Sequence, residues 1–241
     1  MEKIITYDTL RSFAYCNDKI CKKPIRGIAV SFFGLGGMAM FAEDTDEGKR
    51  FAEKGILWLV PYNNPWAWMN RQAVGYTDEL IDVLVQHYGL PEDIPVVSTG
   101  GSMGGLSALV YTACAKRTPV ACVANCPVCD LPYHFTERPD LPRTLYSAFW
   151  NYEGTIEEAL CSASPIHLAE KMPDVDYTIF HCEADQAVNK QKHSDVFVQK
   201  MQPAHRVTYI TVPERGHCDL PPQEREMYNA AIEAAVEKYA K

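Results

Sequence analysis

No run of about 18 apolar residues occurs in the 241-residue chain, so no segment has the make-up of a membrane-spanning helix. No Asn-x-Ser/Thr acceptor for glycosylation is present either. The opening MEKIITYDTL lacks the apolar stretch of a secretory signal. Positive charge is also short, with 23 Lys and Arg against 31 Asp and Glu and a net charge of −8. Phosphate backbones and anionic membrane surfaces are held by a basic surplus, so neither nucleic acid nor membrane is an expected partner. With 14 Gly and 16 Pro, neither residue is frequent enough for a collagen-like or low-complexity chain. The nine cysteines are odd in number and scattered through apolar segments, which predicts free thiols in a reducing cytoplasm.

What is present is a globular composition, 47% apolar and 11% aromatic. Short apolar runs alternate with amphipathic stretches almost from end to end. Strands are expected at 27–33, 56–60, 96–99, 120–124, 177–182 and 207–212, and helices at 46–54, 77–88, 106–115 and 224–239. Gly55 and Gly89 stand where helices end. The acidic patch Glu43–Glu47 reads as a helix start, where carboxylates suit the positive end of the macrodipole. Continuous apolar strands between helices imply a mostly parallel sheet covered on both faces. The first 25 residues are expected to add an antiparallel pair at its edge. The stretch 130–165 is rich in proline and aromatics and too long for a simple crossover, so it is expected to form a cap-like insertion. The expectation is a single α/β domain over 1–241.

Gly100-Gly-Ser-Met-Gly-Gly105 follows one predicted strand and opens a helix. A serine on such a sharp turn has its hydroxyl lifted clear of the sheet, and a Cβ at the flanking glycines would meet neighbouring backbone. Ser102 is therefore the candidate nucleophile. It needs a base to take its proton. His217, in the loop after the 207–212 strand, has both ring nitrogens free for that role. His205 precedes that strand, His193 falls in a helix, and His181 reads as a core histidine. Asp185, in the turn after the 177–182 strand, is the candidate acid, with Glu183 as the alternative. The oxyanion donors are expected to be the Met103 N–H and an N–H from the 34–37 glycine turn, Leu35 with Gly34 beside it.

These residues together resemble the α/β-hydrolase family over nearly the whole length, and most of all its prolyl-oligopeptidase and dienelactone-hydrolase branch. The resemblance rests on Gly34-Leu-Gly-Gly37, Gly100–Gly105, Ser164-Pro-Ile166, His181–Val188 and Gly216-His217. It implies the α/β-hydrolase fold, with Ser102 as nucleophile, Asp185 as acid and His217 as base. Family members often carry His-Gly at the oxyanion turn and before the acid. Here Phe33-Gly34 and His181-Cys182 stand instead, and neither change removes a catalytic atom. No residues are left for the propeller that restricts prolyl oligopeptidases to peptides, which favours a simple ester.

Weaker signals complete the reading. Cys126-Pro-Val-Cys129 has redox spacing but leads into Asp130-Leu-Pro rather than opening a helix. As a zinc site it needs two further ligands, with His134 the one nearby candidate, so structural thiols are expected. Trp66 and Trp68 are expected on one wall of the substrate pocket, and Tyr146, Phe149 and Trp150 of the insertion on the other. Arg71 and Arg215 read as surface residues. The function that follows is a cytoplasmic, carboxylesterase-type serine hydrolase of small esters, with no metal or cofactor. A homodimer is compatible with the sequence, which leaves oligomeric state open. The alternatives are a small-peptide peptidase or amidase, and a non-catalytic hydrolase-fold binding protein.

Overall fold

The computed structural model describes residues 4–37 and 40–240; residues 1–3, 38–39 and 241, which include both ends of the expected 1–241 domain, lie outside it. One seven-stranded sheet runs through the molecule in the order β1-β3-β2-β4-β5-β6-β7. Its strands are β1 (Ala14–Cys16), β2 (Gly27–Phe32), β3 (Ile56–Pro61), β4 (Val96–Gly101), β5 (Ala121–Asn125), β6 (Asp176–Cys182) and β7 (Arg206–Val212). All neighbouring pairs are parallel except β1 with β3. The N-terminal antiparallel pair is thus corrected to one short strand. Leu10–Ser12 forms a tight helical turn, and β1 takes its hydrogen bonds from β3.

The connecting helices cover both faces, as continuous apolar strands require. α1 (Asp46–Glu53) and α9 (Pro222–Tyr239) cover one face, whose core includes Phe51, Trp58, Phe180 and Val236. α2 (Arg71–Tyr88) and α3 (Met103–Cys114) cover the other, with Leu80, Leu84, Leu106 and Leu109 in the larger core. α1 starts as the acidic patch predicts, with the Thr45 side chain accepting from Gly48 N–H. α2 begins six residues before its predicted start, because Asn70 caps it by accepting from Ala73 N–H at 3.0 Å.

Between β5 and β6 the chain forms α4 (Leu131–Glu137), α5 (Leu141–Ala148), α6 (Ile156–Ser162) and α7 (Pro165–Leu168). α8 (Ser194–Met201) then links β6 to β7. The insertion rests on the segment after β3, where Asn70 Nδ2 donates to Ala148 O at 2.8 Å and Trp68 Nε1 to Thr144 Oγ1 at 3.0 Å. No helix among the described residues is long and apolar enough to cross a membrane.

The order of strands decides where a site can form. The chain lays β3 on one side of β2 and returns to lay β4 on the other. Such a reversal leaves a crevice at the carboxyl ends of the two central strands. The turns after β2 and β4 therefore face each other across it.

Candidate active site

Ser102 sits between β4 and α3 with φ 60° and ψ −126°, a conformation rarely adopted by residues with a side chain. The surroundings hold it there. Its N–H donates to Asn125 O at 2.9 Å, and its carbonyl accepts from Leu106 N–H at 3.1 Å and Val128 N–H at 3.3 Å. The flanking glycines are required by contact. A Cβ on Gly100 would lie 2.4 Å from Gly104 O, and one on Gly104 only 2.1 Å from Phe32 O.

Tyr228 of α9 braces the same strand from behind. Its buried hydroxyl accepts from Gly100 N–H at 3.0 Å, lies 3.1 Å from Val123 O, and hydrogen bonds with Thr99 Oγ1. Tyr228→Phe leaves the Gly100 N–H without this partner, and the expected loss is about 1–3 kcal/mol of stability by urea unfolding. An unchanged midpoint would show that the bracing contributes nothing.

Across the crevice, Gly34–Gly37 closes a turn with Gly37 N–H donating to Gly34 O at 2.9 Å. Gly36 takes φ 69°, which a side chain would strain. A Cβ on Gly34 would be 3.7 Å from Ser102 Cβ, so the turn lies against the serine. Among the described residues, neither Leu35 N–H nor Met103 N–H has a hydrogen-bond partner.

Asp185 lies in the loop after β6 with its side chain fully buried. Its Oδ1 accepts from Ala187 N–H at 2.8 Å and Val188 N–H at 3.0 Å, and its Oδ2 accepts from His217 Nδ1 at 2.6 Å. Burial works against its charge, but the donors from His181, His217 and Val188 outweigh burial and hold its pKa well below the usual carboxylate range. Glu183, the alternative acid, is exposed.

His217 arrives from the loop after β7, which folds back over the ends of β6 and β5. Asn125 Nδ2 donates to Cys218 O at 3.4 Å, and a Cβ on Gly101 would be 3.2 Å from Cys218 Sγ. This brings Cys218, the neighbour of His217, against Gly101 in the turn that carries Ser102. Burial disfavours positive charge on the imidazole, yet the hydrogen bond to ionised Asp185 prevails, and the His217 pKa is pushed up to about 9. Among the described residues no hydrogen bond joins Ser102 Oγ to His217. The Nε2 atom instead lies 3.8 Å from Cys218 Sγ.

From its place inside a strand, His181 is expected to be a core histidine. It is fully buried, but it also reaches the candidate acid, with Nε2 3.3 Å from Asp185 Oδ2 and 3.2 Å from Val188 O. Both neighbours of Nε2 are acceptors, so that nitrogen carries a proton, and Nδ1 shares a hydrogen bond with Ser194 Oγ at 2.6 Å. His181 thus approaches the same carboxylate oxygen, Asp185 Oδ2, that His217 engages. The signal was its place near the end of the strand that leads to Asp185.

Two expected pocket residues stand elsewhere. Trp68 is fully buried in the larger core, with φ 47° turning it inward, and is not part of a pocket wall. Phe149 is buried and lines a separate cleft beside Met69, Asn70 and Tyr152. Trp66 and Trp150, 47% and 78% exposed, share a cleft of about 660 Å³ with Phe13, Tyr62 and Tyr76. Its floor residues Asn63, Asn64 and Ala67 also line a small recess that reaches Met103 and Phe33. Tyr146 is 54% exposed and packs edge-on against Phe135. Arg215 pairs with Asp219 at 3.3 Å on the surface.

Cys126 and Cys129 do not form a pair: Cys126 belongs to one core and Cys129 to the other. Three groups of side chains come close enough to resemble metal sites among the described residues. In one, Glu137 Oε2 lies 2.5 Å from His134 Nδ1 and 2.9 Å from His193 Nε2. There His193 Nδ1 accepts both the Cys129 and Asp130 N–H groups at 3.1 Å, so Nε2 must keep its proton to serve Glu137. That nitrogen is not free for a metal, and the cluster ties α4 to the start of α8.

No protein-family model matches the chain, and no curated protein matches it in sequence. Solved structures do match. Esterase 2 of Thermogutta terrifontis in its apo form superposes with a TM-score of 0.67 at 18% identity, covering 95% of this chain and 90% of that one. An S-formylglutathione hydrolase from Agrobacterium tumefaciens gives 0.68 at 16% identity, covering 89% and 84%. A puromycin hydrolase gives 0.69 at 14% identity and covers 90% of this chain, which spans only 34% of that protein's length. The strand order, the turns at its reversal and these superpositions agree that the chain has the α/β-hydrolase fold.

Proposed function

We propose that this protein is a serine hydrolase that cleaves small carboxylic esters through an acyl-enzyme on Ser102. The observation that supports the reading is the 2.6 Å Asp185–His217 pair, whose His217 loop reaches Gly101 beside a serine on a strained strand-to-helix turn. His217 takes the Ser102 proton as the oxygen attacks the ester carbonyl, while Asp185 holds the ring and supports the imidazolium that forms. Apo geometries of this kind tighten when substrate binds, and here Ser102 Oγ must turn toward Nε2. Charge developing on the carbonyl oxygen is met by the free Met103 and Leu35 N–H groups. His217 then protonates the leaving alcohol, and water activated by the same ring releases the acid.

An ester is favoured over a peptide by extent of likeness. The esterase and the S-formylglutathione hydrolase match over most of their own length, whereas the puromycin hydrolase matches over a third. The strip from Met103 past Asn63 and Ala67 to Trp66 and Trp150 suits an apolar or aromatic group of the ester. The 130–165 insertion supplies Trp150 to that wall and acts as the cap. The test compares p-nitrophenyl esters of acetate, butyrate and phenylacetate with the matching anilides. Ester turnover with little anilide turnover supports the reading; comparable anilide turnover assigns an amidase, and tight retention of a ligand without turnover assigns a binding protein.

The raised His217 pKa gives the expected pH dependence. The base is active only when neutral, so kcat/KM should rise with pH and level off above about 9. Stability runs the other way. A pKa raised in the folded state gives stability that is full below the unfolded value of 6.5 and is lost as pH rises through about 9. A profile already flat at pH 7 would show that Asp185 does not hold the imidazolium in this way.

A further inference from the structure

Cys126, His217 and Cys218 place their Sγ, ring-nitrogen and Sγ atoms within 4.8 Å of one another. The mechanism proposed above uses only the imidazole, so the two thiols beside it need another account. Cys126 directly follows β5 and Cys218 follows His217, and both take positive φ values, 44° and 57°. Neither is glycine, so each conformation costs free energy that the surroundings must supply. Its effect is to turn both sulfurs toward the same imidazole.

Cys126 Sγ accepts backbone N–H bonds from Cys182 and from Cys218, each at 3.4 Å. The neighbouring Cys218 and burial raise the Cys126 thiol pKa, and the two N–H donors aimed at its sulfur work the other way, toward the thiolate that binds metal. On the far side of the ring, His217 Nδ1 faces Asp185 Oδ2 at 2.6 Å. That leaves Nε2 outward and made more basic by the carboxylate, as in carboxylate–histidine–zinc arrangements. Zinc holds sulfur at about 2.3 Å and nitrogen at about 2.0–2.1 Å, which places tetrahedral donors about 3.5–3.8 Å apart. The observed 3.8 Å from Nε2 to Cys218 Sγ already lies at the edge of this range. The remaining sulfur needs to move by about 1 Å or less.

We propose that Cys126, Cys218 and His217 form a binding site for a thiophilic divalent cation, with Zn²⁺ as its chemical type, and that occupancy shuts off the hydrolase. Coordination uses the Nε2 lone pair that would otherwise take the Ser102 proton. Both thiols give up their protons to solvent as two sulfur–zinc bonds form, so binding weakens as pH falls. The inhibitory half rests on the function proposed above; the binding half does not.

The experiment uses the whole reduced chain, titrated with Zn²⁺ by calorimetry and with Co²⁺ as a spectroscopic substitute. One equivalent is expected to bind, with proton release and a thiolate-to-cobalt charge-transfer absorption. Cys218→Ser, at a partly exposed position, and Cys126→Ser/Cys218→Ser should each weaken binding by tenfold or more and remove or reduce that absorption. Ser102→Ala should bind like the parent, since Ser102 supplies no donor. Ester hydrolysis by the parent should fall in step with occupancy and return on chelation. Binding unchanged by the thiol substitutions, or no stoichiometric binding, overturns the site. Binding without loss of an existing esterase activity overturns its inhibitory role. Binding in a protein with no esterase activity leaves the site standing and refutes the function instead.

Discussion

Ser102→Ala is expected to lower kcat for a short p-nitrophenyl ester by about 10⁶ and to abolish labelling by a fluorophosphonate. The size follows from what the substitution removes and what it keeps. Alanine retains the Cβ, so the strained backbone at φ 60° and its hydrogen bonds to Asn125, Leu106 and Val128 are unchanged. The Met103 and Leu35 N–H groups also remain. Only the hydroxyl is lost, and with it the covalent route. What persists is the hydrolysis that oxyanion binding and substrate positioning support by themselves, about 10³–10⁴ over water in comparable enzymes. Losing one oxyanion donor costs only about 10²–10³. A fall of that smaller size would make Ser102 an auxiliary group and move the nucleophile elsewhere. The unfolding midpoint should stay close to that of the parent, which separates lost chemistry from lost fold.

Asp185→Asn carries the second largest expectation, a fall of about 10⁴ in kcat. The hydrogen bonds around this side chain explain why an isosteric change is so costly. Oδ1 accepts two backbone N–H groups, so the amide of Asn must keep its oxygen there. Its NH₂ then points at His217 Nδ1 and lies near His181 Nε2, where the carboxylate had accepted. Two donors facing each other repel. His217 can relieve this only by moving its proton from Nδ1 to Nε2. That tautomer presents an N–H to Ser102 and has no lone pair to take its proton. The variant's pH profile should also level off at lower pH, because the Asp185 charge, the larger of the two neighbours that raise the His217 pKa, is gone while Cys126 remains. An activity within tenfold of the parent would remove Asp185 from the mechanism.

Where a strand, a turn and a helix are neighbours in sequence, local pattern was sufficient. Gly100–Gly105 shows this best: a short apolar run, glycines that a Cβ could not replace, and the helix that follows. The acidic start of α1 and the glycine ends of α1 and α2 are equally local. The start of α2 is not legible in the sequence because Arg71–Tyr76 has weak apolar periodicity and contains Gly75, while the cap at Asn70 is visible only as a bond to Ala73. Trp68 misled for a related reason. Its positive φ belongs to a turn with no glycine, so nothing in the sequence shows that the ring enters the core.

By itself, then, the sequence determined an α/β order of strands and helices, the candidate roles of Ser102, Asp185 and His217, and the poverty of positive charge. Tertiary structure alone decided that His181 holds the candidate acid, that Tyr228 braces the serine strand, and that Cys126 leaves Cys129 for Cys218, 92 positions away. The physical reason is range. A hydrogen-bond pattern along one element is written into neighbouring residues. The meeting of Cys126, His217 and Cys218 depends on the β7 loop folding back across the ends of β6 and β5, where packing and backbone bonding set the distances.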